Sequence, residues 1–208
     1  KEFRSQLGFV VVGRIAYNRA KTKNNAGEYK KTVDYILEAR KEIASCGISV
    51  CPELDEVLLH AYFQWRVRYY ASFEAVAPID WSLISQLAER IRREPYWKHD
   101  PLYHYIAGIA RAHLGDWADA RLIFDEIRTM NLPSDVLWEH RDHLMKEKGG
   151  MCSVQGVLGK GGRARFIRVD ELNNSFHLDR ADRWGRDGEI EHVFIRFAFG
   201  GPSASKAI

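Results

Sequence analysis

The sequence predicts a mostly α-helical protein in which an antiparallel array of about seven helices precedes a small β-barrel. As far as Lys148 the apolar residues recur at helical spacing, whereas beyond the pair Gly149-Gly150 they alternate in short runs broken by glycines. This change predicts two domains, a helical domain over residues 1–148 and an all-β domain over residues 151–204.

Three amphipathic helices carry the clearest apolar stripes, and each stripe begins at an aromatic residue preceded by an acidic one. The stripes are Tyr29, Val33, Ile36, Leu37 and Ile43; Trp81, Ile84, Leu87, Ala88 and Ile91; and Trp117, Ala120, Ile123, Phe124 and Ile127. Upstream of each stripe the pattern predicts another helix, over residues 3–22, 54–73 and 102–114. Ser134 suits the N-cap of a seventh helix that we expect to reach about residue 146. Helices joined by short turns pack as antiparallel hairpins.

The third hairpin carries a recognisable motif. Gly115-Asp116-Trp117 is followed by Ala120, Phe124, Ile127 and Pro133, and Gly108 lies one helix earlier. This arrangement resembles the tetratricopeptide repeat, in which small residues let two helices approach across a tight turn. Looser copies begin at Gly27-Glu28-Tyr29 and at Asp80-Trp81. The copies are unevenly spaced, and the first-helix aromatic positions of the best copy hold His104 and Arg111.

Stacked hairpins of this kind present a concave surface that binds peptides, proteins or neighbouring domains. We expect that surface to use polar residues on the otherwise apolar first helix of each hairpin. The candidates are Arg14, Asn18, Gln64, Arg68, His104 and Arg111. For His104 and Arg111 three interpretations stay open: a place in the lining of the concave surface, a buried and hydrogen-bonded pair, and a contact with a ligand.

The C-terminal residues predict short strands over 153–158, 164–169, 175–178 and 191–199, with glycines at the turns and bends. Gly156-Val157, Phe166-Ile167, Ser175-Phe176-His177-Leu178, Gly188-Glu189, Phe197 and Gly201-Pro202-Ser203-Ala204 follow one another in that order. This order resembles a cold-shock domain of the OB-fold class, a family that stacks bases on aromatic residues of its second and third strands.

That resemblance implies an alternative function, the binding of single-stranded RNA or DNA. The residues that would carry it are Lys160, Arg163, Arg165, Phe166, Arg168, Phe176 and His177. Alternation along the strand places Arg163 and Arg165 on one face, where they would hold phosphates. The competing interpretations are a contact with protein and a solvated face on which Asp170, Asp179 and Asp182 pair with the arginines.

No catalytic or metal-binding arrangement stands out. The run from Gly156 to Gly162 lacks the glycine spacing and the Ser/Thr of a nucleotide loop, so we interpret it as a turn between strands. His140 and His143, next to Glu139, have a spacing that suits a shared metal, but no third ligand lies nearby in sequence. We therefore expect no enzyme activity, no cofactor and no metal, and two surface histidines.

Composition restricts the class of protein further. The net charge of +3 is too small for a protein whose main ligand is bulk nucleic acid. The chain has three cysteines, Cys46, Cys51 and Cys152. An odd number in a chain of this size favours reduced thiols in the cytosol over secretion. No apolar run approaches the length of a membrane-spanning helix, and a chain that begins at Lys1 suggests a piece of a longer protein.

Together these features predict a non-catalytic scaffold or regulatory module of a larger cytosolic protein. We expect it to bind a partner protein, or an adjacent domain of the parent chain, through the concave helical surface. Binding of single-stranded nucleic acid by the barrel is the alternative.

Overall fold

The computed structural model describes residues 2–72, 75, 77–139, 141–161, 164–179 and 183–207. Within them the helices are α1 (Glu2–Lys23), α2 (Ala26–Ser45), α3 (Pro52–Phe63, continued by a π-helical segment, Gln64–Tyr69), α4 (Trp81–Arg93), α5 (Pro101–His113), α6 (Trp117–Arg128) and α7 (Ser134–Trp138). The strands are β1 (Asp142–His143), β2 (Ser153–Gly161), β3 (Ala164–Val169), β4 (Asn174–Leu178), β5 (Ile190–Ala198) and β6 (Gly201–Lys206), with a 3₁₀ turn at Asp170–Leu172.

The helices begin where polar side chains satisfy the first backbone N–H groups. The side chains of Asn25, Asp80, Asp100 and Asp116 each accept at least one such hydrogen bond at the start of α2, α4, α5 and α6. Pro52 supplies the first residue of α3, where its missing N–H leaves no helical bond unmade. These caps explain why α4, α5 and α6 begin at or next to the residues where the sequence predicts their start.

Consecutive helices pack side by side from α1 to α6, which confirms the predicted array of helical hairpins. The hairpin of α5 and α6 shows how closely two of these helices approach each other. A Cβ atom on Gly108 would lie 2.9 Å from carbons of the Phe124 ring, so only glycine fits there without displacing that ring. The predicted small residue on the first helix of this hairpin therefore has a packing role.

The seventh helix differs from its prediction, because α7 ends at Trp138 instead of continuing to residue 146. Asp142 and His143 form β1, which pairs with Phe197 and Arg196 of β5. The backbone N–H of Leu144 then donates to the carbonyl of Ile195 at 2.8 Å. Pairing with the barrel thus overrides the helical propensity of this segment.

Strands β2 to β6 close into a barrel in the order β2-β3-β4-β6-β5, with β5 pairing back onto β2. All these pairs are antiparallel except β4 with β6, an OB-like arrangement that confirms the predicted small barrel. Strand β6 was absent from the four predicted strands, and β1 was predicted as helix. Buried Ile167, Val193 and Ile195 fill the interior.

The helical array and the barrel share one apolar core. The ring of Trp117 on α6 packs edge-on against Phe176 at 5.1 Å and stacks with Phe197 at 6.3 Å between centroids. Tyr105 on α5 packs against Phe199 at 5.0 Å. The barrel is therefore held directly against α5 and α6. Of the helices in the described part of the chain, none is long and apolar enough to span a membrane.

Candidate functional site

Four polar residues spaced by four form one stripe along α3 and its π-helical continuation: Glu56, His60, Gln64 and Arg68. In an α-helix four residues slightly exceed one turn, so such a stripe drifts around the helix axis. The wider π-helical turn reverses this drift, because four residues there sweep less than one turn. The stripe consequently stays on one face for about 18 Å, at 1.5 Å per residue.

Side chains from α1 and α5 flank this stripe. Arg14 of α1 forms an ion pair with Glu56 at 3.0 Å, and the ring of Tyr17 lies 6.0 Å from that of His60. From α5, the hydroxyl of Tyr103 donates to Glu56 at 3.2 Å. We call the resulting surface the first-helix face; its residues are Arg14, Tyr17, Asn18, Glu56, His60, Gln64 and Arg68, and the buried Tyr103 packs beneath it.

Glu56 is the electrostatic centre of the first-helix face. Burial opposes its ionisation, but the hydrogen bond and charge of His60, followed by Arg14 and Tyr103, outweigh burial and hold the pKa of Glu56 below its ordinary value. Burial, and then the charge of Glu56, raise the pKa of Tyr103, so its hydroxyl stays protonated and donates. The face thus carries one carboxylate whose partners are fixed by three helices.

A continuous series of rings stiffens the face. Centroid distances are 6.1 Å from Trp97 to Tyr103, 5.7 Å from Tyr103 to His60, and 6.0 Å from His60 to Tyr17. The series continues from Tyr17 to Tyr29 at 6.5 Å. Such tilted and edge-on pairs are favourable contacts between aromatic rings. They contribute to the packing of α1, α2 and α5 around α3.

Arg68 joins the first-helix face to the barrel. Its Nε and Nη2 atoms each donate to a carboxylate oxygen of Asp142 on β1, both at 3.1 Å. The hydroxyl of Tyr105 donates to the same carboxylate at 2.9 Å and lies 3.2 Å from the Phe197 carbonyl. The Asp142 side chain is only 4% exposed, so this network lies at the junction of the two parts.

The structure places four of the six predicted interaction residues on two neighbouring helices, α1 and α3 with its π-helical continuation, and separates the other two. Arg14 and Asn18 are exposed on α1, and Gln64 and Arg68 lie on the stripe. His104 is 4% exposed, with Nδ1 3.2 Å from the Asp100 carbonyl and Nε2 3.4 Å from Glu126. It lines a separate cavity of about 640 Å³ instead.

Arg111 likewise turns away from the first-helix face. Its guanidinium lies 3.9 Å from Glu89 of α4 and 3.8 Å from Asp116 at the start of α6. His104 and Arg111 therefore belong to the packing of α5 against α4 and α6. The two residues do not pair with each other: His104 is buried beside Glu126, whereas Arg111 is partly exposed between Glu89 and Asp116.

Sequence reasoning missed Tyr17, Glu56, His60 and Tyr103. A signal for two of them was present, because the four-residue spacing of Gln64 and Arg68 extends backwards to His60 and Glu56. Both are polar residues on the most apolar helix of the array. Nothing in the local sequence distinguishes Tyr17 and Tyr103 from ordinary core aromatics.

The barrel places the residues of the nucleic-acid alternative on different surfaces. Phe166 of β3 and His177 of β4 are register partners, and His177, Lys160 and Arg168 are exposed. The Phe166 ring covers Gly159, where a Cβ would meet it at 2.8 Å.

Other residues of that alternative face elsewhere. Phe176 is 2% exposed and packs on Trp117, so its ring is not presented to a base. Arg165 lies on the same side of β3 as buried Ile167, opposite to the side that carries Arg168. Its guanidinium donates to the Gly185 carbonyl at 2.5 Å. Arg163 lies outside the described residues.

Within the described residues, no group of three His, Cys, Asp or Glu side chains is placed to hold a metal ion. His143 forms part of β1, and His140 is outside the described residues. All three cysteines are free thiols, and burial raises the pKa of Cys51 and Cys152.

Comparison of the chain with protein-family models, with curated proteins and with solved structures finds no match.

Proposed function

We propose that this chain is a non-catalytic interaction module of a larger cytosolic protein, and that the first-helix face binds an extended segment of a partner protein or of an adjacent domain. The observation that carries the proposal is the stripe of Glu56, His60, Gln64 and Arg68. Polar residues at every fourth position of an otherwise buried helix need a reason other than core packing. Recognition of a ligand is such a reason.

The length of the stripe favours an extended peptide. A span of about 18 Å accommodates five or six residues of extended chain, at about 3.3 Å per residue. The flanking helices α1 and α5 contribute Arg14 and Tyr103, which both contact Glu56, so the stripe is bordered at its Glu56 end. A folded partner would need a broader surface than these helices offer.

The hydrogen-bonding groups of the face suit a peptide backbone. Asn18 is exposed, and no described residue hydrogen-bonds its side-chain amide, which offers one acceptor and two donors. Arg14 is half exposed and engages Glu56 through one nitrogen. Arg68 engages Asp142 through Nε and Nη2. Unused guanidinium donors favour carbonyl or carboxylate groups on the partner.

The test is selection of short random peptides displayed on phage against the whole chain, followed by fluorescence-anisotropy titration of the strongest peptide. We expect the double variant Arg14→Ala/Asn18→Ala to weaken binding roughly tenfold or more, equivalent to about 1.4 kcal/mol. The matched control is Gln86→Ala/Arg93→Ala, which removes an amide and a guanidinium from the exposed side of α4 and leaves affinity unchanged.

The proposal fails if no peptide is enriched. It also fails if the selected peptides bind the Arg14→Ala/Asn18→Ala variant as tightly as they bind the unmodified chain.

A second candidate function, binding of single-stranded nucleic acid, is supported by one observation. Phe166, Arg168 and His177 lie on the outer side of the second and third strands of an OB-like barrel, with Lys160 exposed nearby. An aromatic ring beside cationic side chains is the combination that stacks bases and pairs with phosphates.

Salt-dependent binding of fluorescent single-stranded RNA and DNA tests this second function. Point variants are preferable to removal of the barrel, because the barrel shares its core with the helices. We expect Phe166→Ala/Arg168→Ala to weaken binding and to reduce its salt dependence, and Arg14→Ala to leave both unchanged. Absence of binding at low salt would eliminate this candidate.

A further inference from the structure

A cavity of about 380 Å³ opens where the turn between α5 and α6 meets the beginning of the barrel. Its walls come from both parts of the molecule. Trp117 belongs to α6, Leu144 and Met145 follow β1, and Leu172 belongs to the 3₁₀ turn after β3. The cavity is therefore formed only when the array and the barrel are assembled as they are here.

The walls of the cavity are mostly apolar. Trp117, Leu144 and Met145 are members of the shared apolar core, yet part of their surface lines an open cavity. Pockets for small ligands are mostly apolar, commonly lie between domains and have volumes of about 300–1,000 Å³. This cavity lies at the lower end of that range, which limits the ligand to one or two rings.

Among the described residues that line the cavity, one carboxylate supplies the only charge. Glu171 is exposed at the beginning of the 3₁₀ turn, and no described residue forms an ion pair or hydrogen bond with it. Burial, and then the charge of Glu171, raise the pKa of the neighbouring Cys152 thiol, while Lys146 lowers it. The thiol therefore stays neutral, and Lys146 itself is not part of the lining.

His113, the other titratable residue of the lining, is also neutral. Its Nδ1 lies 2.9 Å from the Ile109 carbonyl, and its Nε2 accepts from the backbone N–H of Met145 at 2.9 Å. Burial lowers the pKa of His113 to about 4. At neutral pH this ring does not repel a cation.

We propose that this junction pocket binds a small aromatic amine, with its ring against Trp117 and Met145 and its ammonium group paired with Glu171. A ligand ring packs favourably against an aromatic and thioether wall, and an ammonium group pairs with a carboxylate that has no other partner. An anionic ligand of the same size keeps the ring contact but is repelled by Glu171. The inference does not depend on the function proposed for the first-helix face.

The test is an NMR titration of the whole chain, labelled at its methionine methyl groups, with 2-phenylethylamine as the probe. The chain has three methionines. Met145 lines the junction pocket, whereas Met130 lines the separate cavity beside His104 and is an internal reference. We expect a saturable shift of the Met145 signal, no shift of Met130, and no saturation with 3-phenylpropionate, which has similar size and opposite charge.

Charge recognition is tested with Glu171→Gln, which we expect to weaken amine binding at least tenfold. Glu53→Gln, an exposed substitution at the beginning of α3, is the matched control and leaves the affinity unchanged. The proposal is overturned if Met145 shows no saturable shift, if the amine and the acid bind equally, or if Glu171→Gln binds the amine as tightly as the unmodified chain does.

Discussion

Asp142 shows how one residue joins the two parts of the molecule. Its buried carboxylate accepts two hydrogen bonds from Arg68 and one from Tyr105, while its backbone pairs with β5. A buried carboxylate is tolerated only when its oxygens are satisfied in this way. The arrangement explains why the chain leaves the helical conformation before this residue.

Replacing Asp142 with alanine leaves the Arg68 guanidinium and the Tyr105 hydroxyl without their carboxylate. We expect Asp142→Ala to lower the free energy of unfolding by about 2–4 kcal/mol, because one partner of a largely buried ion pair is removed. Urea denaturation measures the loss. The control is Asp170→Ala, which removes an exposed pair with Arg168 and changes stability by less than about 1 kcal/mol. Equal effects of the two substitutions would contradict the structural role of Asp142.

His113 makes stability depend on pH. Burial lowers its pKa in the folded protein from 6.5 to about 4. As the pH falls below the unfolded-state pKa, the unfolded chain binds a proton that the folded chain does not, so stability is lost down to the folded-state pKa. The full loss is about 3 kcal/mol, at about 1.4 kcal/mol per pKa unit.

Urea denaturation between about pH 7 and about pH 4.5 checks this linkage by comparing the unmodified chain with His113→Gln. The glutamine variant has no titrating group at position 113, so its free energy of unfolding falls less steeply with decreasing pH. This difference in slope is expected even if the substitution changes the free energy of unfolding at about pH 7. If the free energy of unfolding depends on pH in the same way for both proteins, His113 is not held neutral in the folded protein.

At the scale of elements, the α5–α6 hairpin depends on the absence of a side chain at Gly108. A Cβ there would lie 2.9 Å from the Phe124 ring, whereas a Cβ on Gly8 of α1 meets no atom within 4 Å. We expect Gly108→Ala to destabilise the protein by about 1–3 kcal/mol through overpacking. The same change at Gly8 is neutral or stabilises by up to about 1 kcal/mol, because alanine favours helices.

Thermal unfolding of both variants measures this difference. Adding Phe124→Leu to Gly108→Ala restores part of the stability if the clash is with that ring. A Gly108→Ala variant as stable as Gly8→Ala would mean that α5 and α6 are not in close contact.

The helices show where prediction from sequence works and where it fails. Apolar stripes that begin at Tyr29, Trp81 and Trp117 predict α2, α4 and α6, because periodicity and N-caps are local properties. The π-helical segment and β1, by contrast, are not determined by the local sequence. The register of Arg68 and the extended conformation at Asp142 are stabilised by contacts with residues far away in the sequence, such as Phe197 of β5.

The same distinction applies to the first-helix face. Arg14, Asn18, Gln64 and Arg68 are recognisable as polar residues on apolar helices. His104 fits that pattern equally well, yet the rotation of α5 turns it towards Glu126. Which side of a first helix faces its neighbours depends on how three helices pack, so Tyr103 and His104, adjacent in sequence, have opposite roles.

At the scale of the whole molecule, the barrel and the array form one body because Trp117 and Tyr105 pack into the barrel's end. Arg68 belongs both to the first-helix face and to the network at this junction. The barrel thus supports the Arg68 end of the stripe formed by Glu56, His60, Gln64 and Arg68.

The central claim is that the first-helix face is the binding surface, and hydrogen–deuterium exchange of the whole chain tests it most directly. The measurement compares backbone amide exchange with and without the strongest peptide selected on the chain. We predict slower exchange in α1 and in the segment Gln64–Tyr69, with β3 and β4 unchanged. Protection confined to the barrel strands, with none in α1, would contradict the claim.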